Sequence, residues 1–172
     1  MKPFESAGIS LREVESGDLE LLRQWRNDPA IRNHMCDTTL IDESQQARWF
    51  QNIKMQNADV HFVAEYRNSP IGYINLKARP EGEYESGLYV GNEKYRGSFL
   101  SFFIAIAQLD YAFSVLKAKG VFAQVKKTNT AALRFNFKLG YQESDSYQDY
   151  INMRLTPSSY KQQRKILTGF IR

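Results

Sequence analysis

One cysteine and two histidines in 172 residues leave little for redox or metal chemistry. A lone thiol builds no disulfide framework, and a zinc site with so few soft ligands would have to lean on carboxylates, so no metal is expected. Five prolines and ten glycines are too few for a low-complexity or collagen-like chain. No apolar run reaches the ~18 residues that a membrane-spanning helix needs. The opening MKPFESAGIS has no apolar core of signal-peptide length, which predicts a cytoplasmic protein. Excess charge is scarce too, at a formal +4. It is also local, because Lys161, Arg164, Lys165 and Arg172 fall in residues 157–172, where there is no acid. The other 19 basic residues face 19 acidic ones. A nucleic-acid-binding domain carries its basic face on the folded part, so no nucleic-acid partner is expected. The boundary is drawn at a folded domain over 1–157 and a basic tail over 158–172. The tail reads as a solvated terminus or as a short amphipathic helix, with Tyr160, Leu167, Phe170 and Ile171 between cations.

What remains is ordinary globular composition, 42% hydrophobic and 13% aromatic, at a length that suits one domain. Ile9 to Val14 alternates as a strand. Ser16 or Asp18 can cap a helix through about Arg26, which Asn27-Asp28-Pro29 stops because the residue before proline leaves the helical region. Asp42 or Ser44 opens a second helix carrying Ala47, Phe50 and Ile53. Val60–Tyr66 and Ile71–Lys77 flank Asn68-Ser69-Pro70 as a hairpin, and Tyr84–Val90 adds a strand. Ser98–Lys117 is apolar nearly all round and reads as one long buried helix. Val121–Val125 is a strand, Thr128 caps a helix ending at Leu139-Gly140, and Tyr141–Leu155 holds two strands joined near Gln148-Asp149. The order β-α-α-β-β-β-α-β-α-β-β predicts an α/β domain with a mixed sheet, mostly antiparallel, flanked by helices.

Two segments carry chemistry. In the first, the strand Tyr84–Val90 runs through the basic loop Gly91–Gly97 into a helix starting at Ser98. Strand, glycine-containing loop and helix N-terminus together make an anion site, with Lys94 and Arg96 adding charge. The second, Asn129 to Tyr141, is by spacing alone a capped amphipathic helix. Together the two resemble the GNAT superfamily of N-acetyltransferases. The family's R/Q-x-x-G-x-G/A loop falls on Arg96-Gly97-Ser98-Phe99-Leu100-Ser101, and its N-x-x-A-L-x-x-Y-x-K-x-G-F segment matches Asn129, Ala132, Leu133, Lys138, Gly140 and Tyr141.

The resemblance implies acetyl-CoA as co-substrate and direct attack by a primary amine in a ternary complex. Pantetheine would pair with the backbone of Leu88–Val90, and the pyrophosphate would sit on the N–H groups of residues 97–101. Asn129 would hold the coenzyme, and Glu85 would deprotonate the amine. Two departures stand out. Phe99 and Ser101 replace small residues of the loop, and Asn136 stands where many members have a tyrosine acid. Protonation of the thiolate is then left to water, Tyr89 or Tyr141.

Leu22 to Met35 is similar to the W-R-N-x-P-x-I-R-x-x-M segment of sugar-nucleotide N-acetyltransferases, such as those of pseudaminic acid pathways. A similar segment occurs in acetyltransferases of ribosomal-protein N-termini. The resemblance makes Arg26, Asn27, Arg32, His34, Met35 and Trp49 acceptor-binding candidates. The grouping of Arg23, Arg26, Arg32 and Arg48 suits phosphate. The expected acceptor is a 4-amino sugar on a nucleoside diphosphate. A peptide N-terminus, a polyamine, an aminoglycoside or an inactive coenzyme-binding domain are the alternatives. Exposed aromatics are compatible with a homodimer.

Overall fold

The computed structural model describes residues 2–169, so Phe170, Ile171 and Arg172 of the tail lie outside the described residues. The chain forms two compact units. The first comprises residues up to 77 together with 87–108, and the second comprises 78–86 and the chain from 109 on. Among the described residues, eight strands run in the order β1-β2-β3-β4-β5-β6-β8-β7.

In the first unit, β1 (Phe4–Ser6), β2 (Ile9–Glu13), β3 (Val60–Tyr66) and β4 (Ser69–Arg79, of which the unit holds the part up to Lys77) pair antiparallel. Helices α1 (Leu19–Asn27), α2 (Pro29–Arg32) and α3 (Glu43–Met55) belong to the same unit. Val14, Leu22, Trp25, Ile31, Val63 and Tyr73 form a buried cluster, on which Met35, Trp49, Phe50 and Tyr89 pack. Each such side chain contributes ~1.5–3 kcal/mol by leaving water. The helix α4 (Leu100–Asp110) is as apolar as its sequence suggests, with Ile104, Ala105, Ile106 and Ala107 buried.

The second unit holds β6 (Gly120–Lys126), α5 (Thr130–Leu139), β7 (Gln142–Tyr147), β8 (Tyr150–Leu155) and α6 (Pro157–Thr168). Strand β8 pairs antiparallel with both β6 and β7. Strand β5 (Glu83–Val90) meets β6 in parallel only from Glu83–Gly120 to Glu85–Phe122, where the ladder ends.

Several elements differ from the sequence expectation for identifiable reasons. A short strand, β1, precedes the first expected one, because Ala7 and Gly8 both take positive φ and turn the chain back. Pro29 stops α1 as expected, yet as a first-turn residue it also starts α2, with Asp28 capping Ala30 N–H. The β3–β4 turn lies at Arg67-Asn68, both at positive φ, so Pro70 stands inside β4, beside a register shift at Ala64/Glu65. The long helix does not stay α-helical. A π turn over Tyr111–Val115 follows α4, and Lys117 at φ 56° closes it. Asn129, not Thr128, caps α5 by accepting the Ala132 N–H at 3.1 Å.

The tail takes the helical of its two readings. Tyr160 on α6 is 4% exposed, stacks on Phe113 and donates its hydroxyl to Asp110 at 2.8 Å, and Arg164 grips the same carboxylate with two hydrogen bonds.

Candidate active site

The coenzyme loop belongs to the first unit. Gly97 sits at φ 69°, a conformation open to glycine at no steric cost, and turns the chain into α4. Of the five amides expected to face a pyrophosphate, three are already engaged. Ser98 N–H reaches the Tyr95 carbonyl, Leu100 N–H the Ser98 hydroxyl and Ser101 N–H the Ser98 carbonyl. The amides of Gly97 and Phe99 have no partner among the described residues. Two free donors at the positive end of an eleven-residue helix fit a phosphate group. The Phe99 side chain is 82% exposed, so the ring stands out in solvent and the bulk does not occupy the space over its own amide.

Arg96 has a different task from the one its charge suggests. Its Nη2 donates to Asp28 and to the Gly91 carbonyl at 2.7 and 2.8 Å, and its Nε donates to the Val90 carbonyl at 3.3 Å. The guanidinium is therefore a strut between the end of β5 and the cap of α2. The Asp28 carboxyl lies below its ordinary range because it accepts from Ala30 N–H and is paired with Arg96.

The acceptor-side candidates also belong to the first unit. Asn27 holds the Ile41 backbone from both sides, donating to its carbonyl and accepting its N–H, each at 2.8 Å. Asn27 is thus a clamp for the loop over residues 33–42. Arg26 and Arg32 reach the Asp37 and Thr38 carbonyls at 2.6 and 3.0 Å. Each keeps one buried N–H, Arg26 Nη1 and Arg32 Nε, without a hydrogen-bond partner among the described residues. Arg23, by contrast, is paired with Glu20 and Glu43. His34 and Cys36 are exposed. Trp49 and Tyr89 both meet Tyr73, at 6.3 and 5.3 Å between ring centroids, and Met35 packs on the same buried cluster. Burial drives the Tyr89 and Tyr73 hydroxyls well above their ordinary values, so both keep their protons.

Sequence reasoning missed two groups here. His61 hydrogen-bonds Tyr73 through Nδ1 at 2.7 Å, and the edge of Trp49 closes on its ring at 5.7 Å. Gln108, 3% exposed, donates from one amide nitrogen to the Asn75 and Gly87 carbonyls at 2.8 and 2.9 Å, tying β4 to β5. A glutamine among Ile106, Ala107 and Leu109 was the available signal, since a polar side chain on so apolar a helix needs a buried partner.

In the second unit an open groove of about 600 Å³ is lined by Arg79, Glu81, Glu83, Glu85, Phe122 and Asp145, among others. Glu85 is ion-paired with Arg79, and Glu83 with Arg154. Ser86 donates to the Phe122 carbonyl, so the contact at 3.0 Å is the Tyr141 hydroxyl donating to Ser86. Burial raises the Tyr141 hydroxyl as well. Asn136 points its amide at the Met153 sulfur, and Asn129 spends its side-chain oxygen on the cap of α5. Among the described residues no group of three or more His, Cys, Asp or Glu could hold a metal ion.

The family model for the acetyltransferase (GNAT) domain matches residues 9–142. This chain belongs to that family. It is an acetyl-CoA-dependent N-acetyltransferase, and acetyl-CoA is its co-substrate. Acetyltransferase PseH of Campylobacter jejuni strain 81-176 is 29% identical over 150 residues, which cover 87% of this chain and 92% of the relative. Two solved structures show the same fold. FdhC, a nucleotide-linked sugar GNAT, superposes with a TM-score of 0.80 at 24% identity, covering 98% of this chain and 96% of that one. Spermidine N-acetyltransferase from Vibrio cholerae, with CoA and spermine, gives 0.79 at 20% identity over 91% and 99%. No helix among the described residues is long and apolar enough to cross a membrane.

Proposed function

We propose that the acceptor is the primary amine of a nucleotide-linked sugar, a 4-amino-deoxyhexose on a nucleoside diphosphate. One observation carries this. Arg26 and Arg32 bond only to backbone carbonyls, form no ion pair among the described residues, and each retains a buried unpaired N–H. An unsatisfied buried donor costs ~1–3 kcal/mol, more when charged, and a phosphate oxygen would recover that. A polycation would meet these guanidiniums as like charges. The PseH and FdhC likenesses point the same way.

In this reading the free amides of Gly97 and Phe99 take the pyrophosphate and the backbone of Leu88 pairs with pantetheine. Arg96 sets the loop, and Val90 gives its carbonyl to Arg96. Met35, Trp49 and Tyr89 wall the acceptor side. Tyr89 holds its proton and acts as a donor, Tyr141 spends its own on Ser86, and Asn136 supplies none. Glu85 lines the groove as the partner of Arg79 and takes no proton.

A second reading is a polyamine acceptor. It is favoured by Glu81 and Asp145, groove carboxylates that form no ion pair among the described residues. Coenzyme A release with a UDP-4-amino-4,6-dideoxyhexose, spermidine and a peptide N-terminus separates the readings. Turnover of the sugar at least tenfold above the other two is expected. Preference for spermidine overturns the sugar assignment.

A further inference from the structure

We infer that His61, seated by Tyr73 and Trp49, is the base that takes the proton from the acceptor ammonium. This rests on the reading above that the second substrate is an amine, but not on which amine it is.

The placement follows from strand register. His61 lies opposite Asn75, and Val63 opposite Tyr73, so alternation puts His61, Tyr73 and Asn75 on one face. A Cβ on Gly87 would fall inside the Asn75 carboxamide, which puts Gly87 on that face too. Tyr89, two residues on, stacks on Tyr73 at 5.3 Å. The imidazole therefore shares a face with the Gly87–Tyr89 stretch, beside which the reading above lays the pantetheine. The ring does not drift. Tyr73 holds Nδ1, Trp49 stands edge-on to it, and Tyr73 is itself hydrogen-bonded by Asn75. Half-buried, His61 still offers its other nitrogen.

The alternative base is already committed, since the Glu85 carboxylate is paired with Arg79. Burial keeps His61 below its ordinary value and hence neutral at pH 7, as a proton acceptor must be. Asp59 pulls the other way and Lys77 acts with burial, while Tyr73 and Tyr89, both protonated, and Trp49 face the ring as neutral groups.

The step balances. With Nδ1–H directed at the Tyr73 oxygen, Nε2 takes one proton from R–NH3+, leaving R–NH2 and imidazolium. The amine nitrogen bonds to the thioester carbonyl carbon, the C–S bond breaks, and the second amine proton goes to the coenzyme thiolate. The imidazolium returns its proton to solvent.

The test measures kcat/KM from pH 5.5 to 9.5 for the wild type, His61→Gln, Tyr73→Phe and Glu85→Gln. The amine is whichever of the three acceptors the wild type turns over best, so failure of the sugar assignment does not touch it. His61→Gln should lose about 100-fold at pH 7, much less at pH 9.5 where the free amine is abundant, with acetyl-CoA Kd within twofold. The wild-type acid limb, at or below about pH 6.5, should vanish. Tyr73→Phe should lose about tenfold and move that limb, a readout that survives if His61→Gln fails to fold. Glu85→Gln should stay within threefold. A large loss in Glu85→Gln with an unmoved acid limb in Tyr73→Phe, or equal loss at every pH in His61→Gln, overturns the assignment.

Discussion

Arg164 meets Asp110 through two hydrogen bonds at 2.7 and 2.8 Å, and Arg96 meets Asp28 through one at 2.7 Å. Both pairs close long chain separations, each inside its own unit. The first is backed by the buried Tyr160 ring, whose hydroxyl adds a third bond to Asp110. The second shares its arginine with two backbone carbonyls, and its aspartate with the cap of α2. A forked pair behind a buried ring fixes a helix. A single-toothed pair that also grips backbone shapes a loop. The same two residue types therefore predict stability in one place and coenzyme affinity in the other.

Four measurements test that contrast. Ending the chain at Thr156 removes α6 and takes Tyr160 and Arg164 away from Asp110. Loss of folding, seen in urea unfolding, is expected from the ~3–5 kcal/mol tied to a buried aromatic alone. Asp110→Ala should cost about 3 kcal/mol of stability with acetyl-CoA Kd unchanged, and weakened coenzyme binding there would erase the contrast. Arg96→Met should do the opposite, weakening acetyl-CoA about tenfold by calorimetry while stability falls by at most ~1 kcal/mol.

The smallest effect is that of acid. Asp28 binds its proton more weakly folded than unfolded, so its contribution is complete above the ordinary carboxyl value, ~3.9, and is lost as pH falls through the lower folded value. Acetyl-CoA affinity limited by this pair should therefore be flat from pH 5 to 8, and a drop between 6 and 7 would exclude Asp28 as its source.

Most elements were legible because they depend on local chemistry. Alternation marked β2, and of the two caps that the sequence offers, Asp42 opens α3 in a reciprocal cap with Gln45. Turns at Ala7-Gly8 and Arg67-Asn68 were not, since alanine, arginine and asparagine at positive φ are set by the strands they join. The coenzyme loop was legible as a motif, but not the division of labour within it. Nothing in the string Arg96-Gly97-Ser98 says that the guanidinium is consumed by residue 28. Glu85 was legible as a carboxylate in place, and its pairing with Arg79 was not. His61 was not legible as a site residue, because its partners are Tyr73 on the next strand and Trp49 on α3.

The sequence by itself determined the family, most of the order of elements, the acetyl-CoA loop and the places where charge collects. These rest on periodicity, caps and a glycine at a turn, all of which act over a few residues. Tertiary structure alone decided which charges are spent and which remain. Arg96, Asn27, Glu85 and Arg164 are engaged, while Arg26, Arg32 and the free nitrogen of His61 keep capacity for a ligand. A side chain's chemistry is fixed by its type, but its availability depends on neighbours that only the folded chain brings within hydrogen-bond reach.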